Sequence, residues 1–400
     1  MSAQTVQPPP AGPAIRGYDD AILRLPFFTD AHAALADRVT AWSAEYGSLC
    51  RDPGPAQERV ILERLGKAGL LNFLDPGNET DGGDVRSLCV AREGLAYEDD
   101  LADFAFSVQA LGATPILDHG TSGQRDQYLS GMAAGTVQGA FAISELEAGS
   151  DVAAIATTAT RSGEGYVLNG TKAWIANAGS ADVYCVIART GEGPGPLGLS
   201  AFLVPGDIPG LSTEPVPLIA PRTFGHVHLD GCQVPADALL GRPGRGYVIG
   251  MRLLDKFRVT VGAAALGFAR RAADTALGYA QQRRIYEGRL LSMATVQATL
   301  ADIQVQLNAS ALLVARAAWD FDCGDRSFAN HSSMAKLYAT ESAQQVVDAS
   351  LQLLGASGLV AGSVTERLYR QVRSLRIYEG TSEVQRAVIA QHLGQRRARQ

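Results

Sequence analysis

Cysteine, long apolar runs and long basic runs are all scarce in this chain of 400 residues. The five cysteines are scattered without a C-x-x-C pair, which excludes a disulfide framework and favours free thiols in a reducing compartment. Apolar stretches such as 261–269 are far shorter than the ~20 residues that span a bilayer. The N-terminus lacks the charged and apolar regions of a secretory signal, and basic residues cluster only in the tail around Arg396. We therefore expect a cytoplasmic protein that binds neither membrane nor nucleic acid.

Several chemistry-bearing motifs are absent as well. No G-x-G-x-x-G follows a predicted strand, which excludes a Rossmann dinucleotide site, and no G-x-S-x-G marks a serine hydrolase. His226 and His228 share one face of a predicted strand, as two metal ligands would. Because no further His or Cys cluster completes a coordination sphere, we expect no metal.

The composition is that of a globular protein, with 46% hydrophobic residues, 19% charged residues and a net charge of −6. Residues 18–139 show helical periodicity, 140–246 carry short β-branched or aromatic runs between Gly and Pro, and 247–394 are helical again. An extended lead (1–17) and a short tail (395–400) flank these zones. The order predicts an α+β protein with an N-terminal all-α domain, a central β-barrel or sandwich, and a C-terminal four-helix bundle.

Individual elements are predicted from periodicity and from end signals. One continuous helix is expected over 88–111, and a long helix carries an apolar face from Leu254 to Tyr279. Ser382 and Gln385 match a capping box, so the last helix is expected to begin there. The other predicted helices are 31–44, 59–71, 122–132, 294–322, 327–354 and 363–375, and the predicted strands are 165–170, 183–188, 200–205 and 226–229.

Four motifs, in order, resemble those of the acyl-CoA dehydrogenase family. AISELEAGSD at 142–151 is similar to the family's [TS]-E-x-x-A-G-S-D, and NGTKAWIAN at 169–177 is similar to N-G-x-K-x-W-I-[TS]-N. LDKFR at 254–258 opens the long helix, and IYEGTSEVQR at 377–386 is close to Y-E-G-T-x-x-x-Q-R. The resemblance extends over roughly 18–393, and four motifs with correct spacing hardly arise by chance.

This resemblance implies an FAD-dependent enzyme that oxidises the Cα–Cβ bond of an acyl thioester, with Glu379 as the base. In the family, the residues around Gln352 hold the FAD of a neighbouring subunit. The implied FAD-binding residues are Phe141, Ile143, Ser144, Gly149, Ser150, Trp174, Ile175, Ala176, Arg284, Gln297, Gln352, Gly355, Ala356, Thr381 and Glu383. The implied substrate-binding residues are Asp103, Ser150, Asp255, Arg258, Tyr378 and Gly380.

The chemistry of the base can be argued from the residues. Removing a proton beside a thioester requires a carboxylate whose pKa is raised by burial. Glu379 precedes a helix start, where a carboxylate also suits the helix dipole, and Gly380 allows a substrate to approach the backbone. Some relatives place the base one residue before the arginine of the long helix. Here that residue is Phe257, which cannot accept a proton. Of the two positions at which relatives place the base, only Glu379 therefore carries a carboxylate.

Four site residues have alternative interpretations. Trp174 is either a wall beside the flavin or a buried core ring. Asp255 and Arg258 are spaced to pair with each other on a solvated face. Asp103 falls at about the position where glutaryl-CoA dehydrogenase has an arginine for the distal carboxylate. An acidic residue there predicts an acyl group whose distal end is not a carboxylate, unless Asp103 is simply exposed.

The sequence departs from the family pattern at three places. Ala176 replaces a Thr or Ser whose hydroxyl faces the flavin in the family. In Arg284–Gly288, Glu287 replaces an aromatic residue, and a one-residue gap puts the role of Gln297 in question. The stretch 221–225, PRTFG, is also atypical.

The implied partners are an acyl thioester of coenzyme A or of a carrier protein, an electron-transfer flavoprotein as electron acceptor, and further copies of the chain in a homotetramer or homodimer. Two alternatives remain open from the sequence. One is a flavin oxidase or monooxygenase of the same fold that uses O₂, against which the presence of Glu379 argues. The other is a non-catalytic flavoprotein scaffold.

Overall fold

The computed structural model describes residues 17–51, 54–75, 83–325 and 327–397. The predicted lead lies outside these ranges except for Gly17, as do the last three residues of the predicted tail. The first helices are α1 (Asp20–Leu23), α2 (Asp30–Tyr46), α3 (Pro55–Lys67), α4 (Val85–Glu98), α5 (Asp100–His119) and α6 (Ser122–Ala133). The strands that follow are β1 (Gly139–Ala142), β2 (Thr158–Ser162), β3 (Gly165–Ala176), β4 (Val183–Arg189), β5 (Leu199–Pro205), β6 (Leu211–Pro215), β7 (Phe224–Pro235) and β8 (Leu239–Leu240). The later elements are α7 (Gly246–Gln282), β9 (Arg284–Ile285), β10 (Gly288–Arg289), α8 (Ala294–Asp322), α9 (Phe328–Leu354), α10 (Val364–Gln371) and α11 (Ser382–Arg397).

This order of helices, strands and helices confirms the predicted α+β architecture, while the domain boundaries stay predictions. The continuous helix predicted over 88–111 is wrong, because the chain breaks at Asp99 between α4 and α5. Asp99 has an extended backbone (φ −162, ψ 149), and its carboxylate accepts a hydrogen bond from Leu101 N at 3.0 Å. Aspartate is a favoured N-cap, so the acidic pair Asp99 and Asp100 was the sequence signal for the break.

The central sheet is open and sandwich-like, not a closed barrel. Its strands follow the order β6-β7-β3-β2-β4-β5-β8, with β1 parallel to β4. The pairing of β3 with β7 shifts register between Lys172 and Ile175. At this bulge Trp174 adopts a left-handed backbone with φ 60. A bulge re-aims a side chain, and here it turns a large aromatic ring outward.

Two apolar cores position the site. One joins the N-terminal helices to the sheet through residues such as Phe141 and Ile143. The other packs α4 against α7, α8 and α9, largely through alanines that allow close helix approach. By length and composition alone, α8 is apolar enough to cross a membrane, but core helices pass the same test. In the apolar 18-residue stretch of α8 that meets this test, only 33% of the residues are buried within the chain. The helix therefore has a face that no other element covers.

The start of α11 differs from the predicted capping box. Its cap is Thr381, whose hydroxyl accepts from Val384 N at 3.3 Å, while Ser382 donates to Glu341 at 2.5 Å. Gln385 does not reach back to the helix start as a capping side chain. Its amide instead donates to the carbonyls of Glu379 and Gly380. Tertiary contacts with α9 and the preceding turn therefore override the local motif.

Candidate active site

Glu379 lies in a left-handed turn immediately before α11. Its φ is 54, and that of Gly380 is 92. The amide of Gln385 donates to the carbonyl oxygens of Glu379 and Gly380, at 3.3 and 3.0 Å. Lys336 Nζ, from α9, donates to the Gly380 carbonyl at 2.6 Å. Left-handed backbone is unfavourable for a residue with a side chain, so these donors hold a conformation that the sequence alone would not favour.

The Glu379 carboxylate is placed for proton chemistry. Its Oε2 is buried and has no hydrogen-bond partner among the described residues. Burial raises the pKa of Glu379, and the nearby cations Arg92, Lys336 and Arg258 oppose that rise. A carboxylate with an unused buried oxygen and a raised pKa can accept a proton from a weak acid near neutral pH.

Asp103 sits beside this carboxylate rather than on the surface. It is 3% exposed, so the interpretation that Asp103 is simply exposed is wrong. Both of its oxygens accept from Arg92, whose Nε and Nη2 donate at 2.8 Å each. Arg92 Nη1 also donates to Thr260 on α7 at 2.9 Å. Arg92 therefore largely neutralises the negative charge of Asp103, and the sequence around Asp103 does not indicate this partner.

A second buried ion pair lies next to Tyr378. Arg222, from the atypical stretch before β7, binds Asp100 through two nitrogens, with Nε to Oδ2 at 2.6 Å. Its guanidinium lies 5.6 Å from the centre of the Phe104 ring and faces the Tyr378 hydroxyl. Burial raises the pKa of Tyr378 to about 12, so the phenol remains a proton donor. The unusual sequence at 221–225 thus supplies an arginine beside Tyr378, the residue before Glu379.

Asp255 and Arg258 pair as their spacing predicts, but not on a solvated face. Arg258 is 8% exposed, and its Nη1 donates to Asp255. The helix α9 supports the pair, because Ser332 donates to the Asp255 carbonyl at 3.0 Å. Burial raises the pKa of Asp255, with Arg258 opposing. Arg258 also lies within electrostatic reach of Glu379.

The residues expected around a flavin ring lie along β1, the following loop and β3. Phe141, Ile143 and Ile175 are buried, Ser144 and Ala176 are partly buried, and Gly149 and Ser150 are exposed. A buried ion pair ties the loop to the strand, since Lys172 donates to Glu145 at 2.8 Å and to the Ile143 carbonyl at 3.1 Å.

Trp174 is 51% exposed, so its interpretation as a buried core ring is wrong. The indole packs edge-on against His226 at 5.1 Å and leaves the rest of the ring uncovered. Beside it, Ala173 N donates to the Ser144 carbonyl at 2.8 Å, which brings the aromatic wall to the polar loop. An open aromatic surface next to the Ser144 hydroxyl and the exposed Gly149 and Ser150 suits a flat heteroaromatic cofactor, so these residues fit FAD.

The remaining predicted FAD residues divide between two ends of the helical region. Thr381 caps α11 beside Glu379, and Glu383 is exposed in its first turn. Arg284 and Gln297 are exposed beyond the C-terminal end of α7. The 24 residues from Arg258 to Gln282 rise roughly 36 Å along that helix. Gln352, Gly355 and Ala356 are likewise exposed at the far end of α9.

Sequence reasoning missed three charged residues of this site, namely Arg92, Arg222 and Lys336. Each carries its charge into the interior from a different segment. The available signal was a cation on an apolar helix face: Lys336 lies between the buried Ala335 and Ala339. Among the described residues, no group of three or more His, Cys, Asp or Glu side chains is arranged to hold a metal.

Comparison with known proteins gives matches along most of the chain. Models for the N-terminal, middle and C-terminal domains of acyl-CoA dehydrogenase match residues 29–136, 140–232 and 244–394. A short-chain specific acyl-CoA dehydrogenase from Rattus norvegicus mitochondria is 37% identical, over 83% of this chain and 82% of its own length. A 3-(aryl)acrylate reductase from Clostridium sporogenes is 38% identical, over 84% and 90%.

Solved structures of similar proteins agree with these family matches. Butyryl-CoA dehydrogenase from Megasphaera elsdenii has a TM-score of 0.85 and 29% identity, covering 92% of this chain and 98% of its own. An acyl-CoA dehydrogenase from Bacillus anthracis, complexed with FAD, has a TM-score of 0.85 and 26% identity, covering 93% and 68%. The prolyl acyl carrier protein oxidase AnaB has a TM-score of 0.82 and 25% identity, covering 90% and 99%.

Proposed function

Because this chain belongs to the acyl-CoA dehydrogenase family, and is an FAD-dependent oxidoreductase that acts on CH–CH groups of acyl thioesters, we propose that Glu379 is its catalytic base. The observation that carries the proposal is the buried, unpartnered Oε2 of Glu379. The thioester Cα–H is a weak acid, and a carboxylate whose pKa is raised by burial is matched to it. Glu379 removes the α proton from the substrate carbon held against the turn.

Stabilisation of the enolate-like transition state falls to donors at the thioester carbonyl. We assign one of them to the Glu379 backbone N–H, following the family's pattern, because the left-handed turn fixes this N–H beside the base. When bound, FAD would supply the acceptor for the β-hydrogen, which leaves as hydride. The FAD would be held by Trp174, by the loop from Phe141 to Ser150, and by the start of α11.

The distal end of the acyl group is proposed not to be a carboxylate, with a hydroxyl or amino group there tolerated or preferred. Asp103 and Asp100 place two carboxylates near Tyr378, each paired with one arginine. A substrate carboxylate would compete with these acids for the same guanidinium groups. A neutral or cationic donor would instead find accepting oxygens. The pantetheine arm is the same on coenzyme A and on a carrier protein, and relatives of both kinds share this fold.

Oligomerisation completes the cofactor site in this proposal. Arg284 and Gln297 lie beyond the end of α7, roughly 36 Å along that helix from Arg258. Gln352, Gly355 and Ala356 lie at the far end of α9, so we propose that all five contact the FAD of a neighbouring subunit. The uncovered apolar face of α8 supports a homotetramer, or at least a homodimer, in which these residues reach a neighbour's FAD. We further propose an electron-transfer flavoprotein as the acceptor and the cytoplasm as the location.

Glu379→Gln tests the base directly. The amide keeps the size of the side chain but cannot accept the proton, so bleaching of the flavin by an acyl thioester under anaerobic single-turnover conditions should slow by at least ~10³-fold. FAD content and melting temperature should be retained. Near-wild-type bleaching in the variant would assign the base to another residue. Rapid reoxidation of the reduced wild-type enzyme by O₂ would favour the oxidase alternative over the flavoprotein acceptor.

A further inference from the structure

Lys336 is a buried cation that the proposed mechanism does not use. It lies on α9 with 0% of its surface exposed, flanked by the buried Ala335 and Ala339. Its Nζ donates to the Gly380 carbonyl at 2.6 Å. Placing an ammonium group in an apolar interior is unfavourable unless it is compensated, and burial lowers the pKa of Lys336 to about 8, with Glu379 opposing. A group of this kind calls for an explanation beyond packing.

The contact made by Lys336 falls on the turn that carries the base. Glu379 and Gly380 are consecutive left-handed residues, and the Gly380 carbonyl receives both Lys336 and Gln385. A Cβ on Gly380 would lie 2.5 Å from Gln385 Nε2, so a side chain at position 380 would displace the Gln385 amide from the turn. The direction of the Glu379 side chain depends on this backbone conformation, which the two donors hold from the carbonyl side.

Lys336 also differs from the other cations around Glu379. Arg92 approaches from α4 and Arg258 from α7, but each forms an ion pair with its own aspartate. Among the described residues, Lys336 has no carboxylate within ion-pair distance. Its positive charge is therefore the least neutralised of the three, and after Arg92 it opposes the rise in the pKa of Glu379 most.

We propose that Lys336 is a positioning residue for the reaction, whose ammonium group holds the Glu379–Gly380 turn and favours the ionised form of the base. The proposal rests on the proposed role of Glu379. The groups facing Glu379 are Arg92 from α4, Asp103 from α5, Arg258 from α7 and Lys336 from α9. Lys336 itself is also faced by Glu341 on α9 and by Glu383 on α11.

The test isolates proton removal from hydride transfer. In D₂O, the FAD-loaded enzyme is mixed with 3-thiabutanoyl-CoA, whose sulfur at the β position cannot lose hydride. Exchange of its α-hydrogens is followed by mass spectrometry from pH 5 to pH 9. Lys336→Met removes the charge and the donor, while Lys336→Arg keeps both. Thr340→Val is the matched control, because Thr340 is equally buried one turn further along and bonds only to carbonyls of its own helix.

In Lys336→Met the exchange rate at pH 7 should fall at least ~10-fold. The acid limb of the pH profile should move up by about one pH unit, because loss of a nearby cation raises the pKa of Glu379. Lys336→Arg should keep the wild-type limb, and Thr340→Val should match wild type throughout. If Lys336→Met does not fold, as judged by flavin content and circular dichroism, Lys336→Gln takes its place, and the same shift is expected.

An unmoved acid limb in the uncharged variant would overturn the proposal, even if the rate fell equally at every pH, because that is the signature of a purely structural lysine. A shifted limb in Lys336→Arg would overturn it as well. Failure of the proposed function looks different. In that case Glu379→Gln would exchange the α-hydrogens as fast as wild type, whatever the Lys336 variants do.

Discussion

Arg92 and Asp103 face each other across the break between α4 and α5, joined by two parallel N–H···O contacts of 2.8 Å. Both side chains are almost completely removed from solvent, at 2% and 3% exposure. The pair also reaches α7 through Thr260, so it ties three helices together at the position next to the base. Its formation explains how an aspartate can occupy an interior position beside Glu379.

Breaking this pair on one side should be far more damaging than removing it whole. Arg92→Met leaves Asp103 buried without a partner, and we expect the free energy of unfolding to fall by about 3–5 kcal/mol. Arg92→Met with Asp103→Leu should recover most of that loss, because no charge remains to be compensated. Urea titration of the FAD-loaded variants measures both. Additive losses in the double variant would show that the two residues do not act as a pair.

Substrates with a distal carboxylate should be poor. Butyryl-CoA is expected to be oxidised faster than glutaryl-CoA, since the carboxylate of the latter would have to compete with Asp103 and Asp100 for Arg92 and Arg222. Steady-state kcat/KM for the two thioesters decides the matter, with 4-hydroxybutyryl-CoA as a neutral polar comparison. Faster turnover of glutaryl-CoA would mean that Arg92 or Arg222 leaves its aspartate to bind substrate.

Ala176 is expected to border the flavin N5 position, where the family has a hydroxyl. Ala176→Thr should alter the visible absorption spectrum of the flavin and its rate of reduction by substrate, because one hydrogen bond contributes about 1 kcal/mol. Ala178→Ser is a suitable control, since Ala178 packs in a different apolar cluster from Ala176. If spectrum, reduction potential and acyl preference are all unchanged in Ala176→Thr, the position does not face the flavin.

The outer face of α8 should be a subunit interface. Val305 and Leu312 are 67% and 43% exposed in the single chain, and Val305→Glu with Leu312→Glu should shift the protein from oligomers to monomers. Light scattering after size exclusion measures this, with the exposed Gln304→Glu as control. The monomer should also lose FAD, because Arg284 and Gln352 would no longer meet a neighbour. An unchanged mass would show that α8 is uncovered in solution.

Features that depend on residues close in sequence could be predicted, whereas features that depend on distant contacts could not. The succession of helices and strands rests on periodicity within each segment, and α8 appears with the bounds that its pattern predicts. The break at Asp99 was missed because apolar periodicity runs through it, although the acidic pair marks a cap. The cap of α11 was misassigned because Ser382 is used by Glu341, which lies 41 residues away.

The same distinction between local and long-range features applies to the candidate site. Glu379 could be proposed as the base because its motif is local, whereas its electrostatic surroundings come from α4, α5, α7 and α9. Arg222 was noticed only as part of an unusual stretch, since nothing near it in sequence indicates a partner in Asp100, 122 residues away. Long-range ion pairs of this kind depend on how the helices pack, which periodicity does not encode.

At Glu379, selection for stability and selection for turnover favour different residues. At φ 54 an L-residue is disfavoured by roughly 1 kcal/mol relative to glycine, and the unpartnered Oε2 adds to the burden. A library screened only for resistance to heat or proteases should therefore drift from Glu379 to glycine, while Gly380, at φ 92, stays fixed. Only a screen for turnover would restore the glutamate, so a thermostabilised descendant of this protein would have to be checked first at this position.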